Sequence, residues 1–182
     1  TYQLAVSGGS AWSLTWDSGT ASGTWNTTDT NAPWKNNADN AATYFANNDN
    51  VTLGSAATIT VSAGGVTAGT MAVSNASGTV DLSGGSIVAS SLNKSGNGAV
   101  TMNNALTVSG GTVTLNGATT VTNGVTVTGG TLGLNAANTI SGGVTNTGAT
   151  LVAGHNSALG ASTLTMSGGT LVITNAGVTL LT

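Results

Sequence analysis

Few side chains here could do chemistry. The 182 residues include one His, two Lys, five Asp, and no Glu, Arg or Cys. His155 stands in Gly154-His155-Asn156-Ser157, where an imidazole could serve as base to a Ser nucleophile. No acid lies near it in sequence to orient the ring. The better reading is a turn residue, at the corner that holds Asn116 and Asn135 in neighbouring repeats. Glycoside hydrolysis generally takes two carboxyl groups at a set separation, and elimination from uronates takes Ca²⁺ with a strong base. Beyond residue 50 the chain offers Asp81 and Lys94 alone, so neither reaction can be staffed and no enzyme is expected. One His and no Cys make no zinc set.

The stretch 26–50 is crowded with Asn and Asp, including Asp29, Asp39 and Asp49. Such oxygen-rich loops can hold Ca²⁺. This one lacks the EF-hand spacing and the glycine-rich pattern of calcium β-rolls. Asx side chains bonding their own backbone in turns explain the composition without an ion. The expectation is no cofactor, with Ca²⁺ as the alternative.

Trp12, Trp16, Trp25, Trp34, Tyr2, Tyr44, Phe45 and Pro33 all precede residue 50, and no aromatic side chain follows it. The Trp residues could stack on sugar rings, making surface glycans a partner. They could instead cover the open first coil of whatever follows, and capping is the preferred reading. Residues 1–50 are read as an aromatic N-terminal cap and residues 51–182 as repeats.

Charged residues make up 4% of the chain and the net charge is −3. That leaves no basic footprint for nucleic acid or anionic lipid. Polarity comes from neutral groups, 34 Thr among them. No run of eighteen apolar residues occurs, so no membrane insertion of this segment is expected. The chain starts at Thr1, and the expectation is an extracellular or surface location after removal of a signal peptide.

The long second region repeats. Apolar pairs flank one outward residue at Ile59/Val61, Val80/Leu82, Leu106/Val108, Val125/Val127, Val144/Asn146 and Leu164/Met166, at intervals of 21, 26, 19, 19 and 20 residues. Val66, Ile87, Val113, Leu132, Leu151 and Leu171 form a second row, and Val121, Ile140, Leu159 and Val178 a third. Alternation over so few residues, with many β-branched side chains, marks strands with one face buried. Gly110-Gly111, Gly129-Gly130 and Gly168-Gly169 supply bends, as do Asn116 and Asn135. A unit of about 20 residues that cannot bury its own face must stack on its neighbours. The prediction is an all-β fold: a parallel β-helix, or solenoid, of about six three-strand coils, rising ~4.8 Å per coil. The interval of 26 predicts a bulging loop around Leu92 to Gly98.

Stacking would align Thr60, Asp81, Thr107, Thr126, Thr145 and Thr165 in one outward column, with Ser62, Ser83, Ser109, Thr128, Thr147 and Ser167 beside it. Such a hydroxyl grid is similar to ice-binding faces, a minor alternative. Thr also suits any strand exterior.

The segment Gly148-Ala-Thr-Leu-Val-Ala-Gly-His-Asn-Ser-Ala-Leu-Gly-Ala-Ser-Thr-Leu-Thr-Met-Ser-Gly-Gly-Thr-Leu171 resembles the autotransporter-associated β-strand repeat, also called the passenger-associated transport repeat. Thr15-Trp-Asp17, Gly23-Thr-Trp-Asn26, Trp34, Ala42 to Phe45 and Val51 to Gly54 are similar to the region preceding such repeats in bacterial surface proteins. The resemblance implies a right-handed β-helix displayed or secreted by a bacterium.

The functional expectation is a non-enzymatic structural or adhesive surface rod. Low charge removes repulsion between copies. Val178, Leu180 and Leu181 form an apolar C-terminal stretch that calls for further coils or for docking onto another subunit. Leu4 and Val6, or the aromatic cap of the next copy, could complete that coil. Such a head-to-tail contact does not close and builds a filament.

Overall fold

The computed structural model describes residues 11–17, 19–28 and 33–177. Leu4, Val6, Asp29, Val178, Leu180 and Leu181 lie outside them. The described residues form eighteen strands and no helix. In chain order these are β1 (Ser13–Trp16), β2 (Ser22–Trp25), β3 (Trp34–Asn36), β4 (Ala42–Thr43), β5 (Asn50–Leu53), β6 (Ala57–Val61), β7 (Val66–Val73), β8 (Thr79–Gly84) and β9 (Ile87–Lys94). They continue with β10 (Ala99–Met102), β11 (Leu106–Val108), β12 (Thr112–Leu115), β13 (Thr119–Val121), β14 (Val125–Val127), β15 (Thr131–Leu134), β16 (Thr139–Ile140), β17 (Val144–Ala153) and β18 (Leu164–Ile173).

These strands wind into a β-solenoid with three faces. The first face stacks β1, β5, the second halves of β7 and β9, then β12, β15 and the second halves of β17 and β18. The second is the six-stranded sheet β2-β6-β8-β10-β13-β16, which counts about six turns. The third stacks the first halves of β7 and β9, β11, β14 and the first halves of β17 and β18. All these ladders are parallel. Only β3 breaks the rule, pairing antiparallel with both β1 and β4.

The physical cause is the in-out-in triplet. In Leu106-Thr107-Val108 and Val125-Thr126-Val127 the outer two side chains are buried and the middle one is not. A pleated strand sends alternate side chains to opposite faces, so each triplet fills the shaft with two aliphatic groups. Along the first face Val51 pairs with Met71, then Leu92, Val113, Leu132, Leu151 and Leu171, in steps of 20, 21, 21, 19, 19 and 20 residues. At the bend between β14 and β15, Gly130 has φ 77°, and a Cβ there would overlap the Gly111 carbonyl oxygen of the coil before. Only glycine fits that corner.

Bends also turn carbonyls toward the interior, and buried Asn side chains satisfy them. Asn138 Nδ2 donates to Ala136 O at 3.1 Å and Ala158 O at 2.9 Å. Asn146 donates to Ala149 O at 2.8 Å while its Oδ1 accepts from Gly148 N at 3.1 Å and Ala149 N at 2.7 Å.

Two expectations from the sequence are corrected by this register. No loop bulges at Leu92 to Gly98: Leu92 is buried in β9, between Met71 and Val113. The interval of 26 arose because Val80/Leu82 lies on the second face and Leu106/Val108 on the third. For the same reason the expected hydroxyl column mixes faces. Thr107, Thr126, Thr145 and Thr165 do align, but the rungs before them are Thr67 and Val88. Thr60 belongs to the second face, where it pairs with Ser83, and Asp81 pairs there with Thr58 and Thr101.

Candidate functional site

The two ends of the shaft differ most from its middle. In the first coil, Trp16, Trp25, Trp34 and Phe45 are buried and pack ring against ring. Trp34 meets Trp16 at 5.1 Å and 86°, and Trp25 at 5.3 Å and 67°. Phe45 meets Trp25 at 5.3 Å and 89°. These edge-to-face contacts add about 0.5–1.5 kcal/mol per pair beyond the area they bury. Trp16 Nε1 donates to Thr20 O at 2.8 Å, whereas the indole N–H groups of Trp25 and Trp34 are buried with no partner among the described residues. Three of the four Trp residues therefore offer no face to a sugar. Among the described residues Trp12 and Tyr44 are the exposed aromatics, at 44% and 42%.

Strand edges at this end are largely taken. On the first face β3 pairs along the outer side of β1, matching Leu14 with Asn36, Thr15 with Lys35 and Trp16 with Trp34. On the third face a turn covers the first half of β7: Asn48 N donates to Thr67 O at 2.7 Å, and Thr67 N to Asn47 Oδ1 at 3.0 Å. Asp49 locks that turn. Its buried carboxylate accepts Trp12 N at 2.8 Å and Ala46 N at 2.9 Å, and ionised acceptors make the stronger hydrogen bonds. Among the described residues β2 and β4 are the strands left with a free outer edge here.

At the other end no described strand lies over the shaft. In β17 the inward residues Val144, Asn146, Leu151 and Ala153 are all buried. Their counterparts in β18 are Leu164, Met166, Leu171 and Ile173, and Met166 and Ile173 are 37% and 45% exposed. The outer edge of β18 has no strand partner among the described residues.

Other predicted site residues are placed as follows. His155 Nδ1 accepts Ser157 N at 3.0 Å, so the ring caps its own turn. Gly154, not His155, takes the register of Asn116 and Asn135, whose side chains bond each other at 2.9 Å. Asn26, Asn36 and Asp39 each accept the backbone N–H two residues on, the Asx turns expected of this stretch, and Asp17 does the same outside it. Among the described residues no group of three or more His, Cys, Asp or Glu is placed to share a metal. Thr128 and Thr147 direct their hydroxyls to the carbonyls of Val108 and Val127, both at 3.4 Å, and Thr147 pairs with Gly168, leaving Ser167 out of register.

Two features escaped the sequence reading. Lys94 is fully buried in the shaft, stacked between Val73 and Leu115, with its ammonium donating to Gly96 O. Burial holds its pKa below the usual lysine value. The alternation Leu92-Asn93-Lys94 carried this signal, hidden by the slip of one face. The other feature is an open groove of about 460 Å³ beside the β1–β3 pair, lined by Thr15, Asp17, Lys35, Asn36, Asn37 and Asn40, among others. Lys35 Nζ lies 3.6 Å from Asp17 Oδ1, each side chain about one third exposed. Comparison with protein-family models, curated proteins and solved structures finds no match to this chain.

Proposed function

We propose that the chain is a non-enzymatic structural or adhesive rod of a bacterial surface, extracellular, that joins copies of itself end to end. The observation that supports this reading is the solenoid itself, about six stacked turns of parallel strand with only seven charged side chains in the whole sequence. Unpaired edges and apolar patches are the surfaces through which β-proteins associate. A net charge of −3 over 182 residues opposes such contact only weakly. The aromatic first coil acts in this reading as a cap, and right-handed winding follows from the repeat resemblance. A contact between unlike ends stays open and grows a fibre, whereas a contact between like ends closes at two copies.

The sparse chemistry of the surface supports the non-catalytic part. Asp49 and Lys94 are buried, and the His155 ring is engaged by its own turn. Electron microscopy of the purified chain tests the proposal. Joined rods, in pairs or fibres, are expected; isolated short rods at every concentration would defeat it.

A further inference from the structure

Charge is scarce in this protein, which makes its placement informative. The two Lys and five Asp are all the charged side chains there are. Lys94 is buried, so Lys35, about one third exposed, is the lysine at the surface of the rod. It meets Asp17 in the groove beside β1 and β3, the one ion pair among the described residues. Three carboxamides, Asn36, Asn37 and Asn40, line the same groove. Some of their capacity is spent locally: Asn36 Oδ1 accepts Ala38 N at 2.9 Å, and Asn37 Oδ1 accepts Thr15 Oγ1 at 2.7 Å. The amide N–H groups of Asn37 and both ends of the Asn40 carboxamide have no partner among the described residues, and Asp17 Oδ2 accepts no hydrogen bond there.

A groove with one cation, one anion and several free amide donors is neutral overall. It favours neither an anionic nor a cationic ligand. Its planar carboxylate and carboxamides can each engage two neighbouring hydroxyls, the carboxylate as acceptor and the amides as donors. We propose that this groove binds a neutral sugar unit through adjacent hydroxyl groups, with Asp17 accepting and Asn37, Asn40 and Lys35 donating. The site differs from the aromatic platform suggested by the Trp residues, because Trp16 at the groove wall is only 2% exposed and offers no ring face. Specificity then rests on hydrogen bonds and should depend on hydroxyl stereochemistry. The inference is independent of end-to-end joining.

The test is saturation-transfer NMR on the whole chain with glucose, mannose, galactose and N-acetylglucosamine, each alone at high millimolar concentration. At least one sugar should receive saturation. Asp17→Asn and Asn37→Ala should each weaken that sugar by about tenfold or more, while Trp12→Ala leaves it unchanged. Unfolding temperatures of the groove variants should stay near that of the parent, since a surface ion pair adds little to stability. No transfer to any of the four sugars would overturn the proposal, as would groove variants that bind like the parent. Loss of binding in Trp12→Ala alone would move the sugar to the exposed aromatic and likewise overturn it.

Discussion

The first coil and the last described coil share one pattern, yet the inward side chains of one are buried and those of the other partly exposed. Both carry inward side chains at alternate positions of a strand on the first face: Leu14 and Trp16 in β1, Leu171 and Ile173 in β18. Leu14 and Trp16 are buried, whereas Ile173 is nearly half exposed. The difference comes from what lies over each strand. Over β1 sits an antiparallel ribbon that brings Trp34 and Phe45 across the shaft. Over β18 no strand lies among the described residues. A repeat thus sets which side chains point inward, while the non-repeating ribbon adds the rings that bury them in the first coil.

That contrast can be broken by substitution. The largest effect is expected at the sealed end: Trp34→Ala removes the ring that touches three others and should cost about 3–5 kcal/mol, read from urea unfolding. A loss below about 1 kcal/mol would show the aromatic coil to be ornamental rather than part of the core. Next comes a matched pair in one column. Leu151→Ala, in the buried row, should cost about 2–5 kcal/mol. Leu171→Ala, one coil further, should cost well under half of that because less area is withdrawn from water. Equal losses would mean that β18 is covered in solution, and the loss should then depend on protein concentration.

Lys94 sharpens the comparison from the middle of the rod. Lys94→Met keeps the bulk, removes a buried amine with a single carbonyl partner, and should raise stability by on the order of 1–2 kcal/mol near neutral pH. Burial lowers the folded-state pKa, so between that lowered value and the usual lysine value the unfolded chain binds more protons than the folded one. Stability of the parent therefore rises with pH through that window, and the gain is lost as pH falls through the lowered value. Thermal unfolding followed from neutral to strongly alkaline pH should show this rise in the parent and not in Lys94→Met. Smallest in stability is Ile173→Asp, expected to change unfolding by less than about 1 kcal/mol while abolishing joined particles in electron micrographs. Persistence of joined rods in that variant would place the contact elsewhere.

The architecture was legible in the sequence because its two causes are both periodic: alternation within a strand and recurrence at about 20 residues. Phase was harder. Each turn contains three similar in-out-in triplets, so a count that begins at Ile59/Val61 can step from the second face to the third without any break in pattern. One slip produced the spurious loop at Leu92, the mixed Thr column and the missed burial of Lys94. The N-terminal contacts were illegible for a different reason. Asp49 bonds the backbone of Trp12, 37 residues away, and the groove exists only because Trp34–Asn36 folds back antiparallel on β1. Neither relation leaves a period to read.

The parallel ladders have a consequence for how such a chain acquires its shape. Each strand bonds to the strand one turn earlier, so partners are rarely more than about two dozen residues apart, as Ile59 and Leu82 or Leu132 and Leu151 illustrate. Only the first coil must wait for a more remote stretch, β1 and β2 finding their parallel partners 37 and 36 residues on. A growing rod can add windings in sequence, each using the previous one as its template, with the tryptophan-rich coil as the seed.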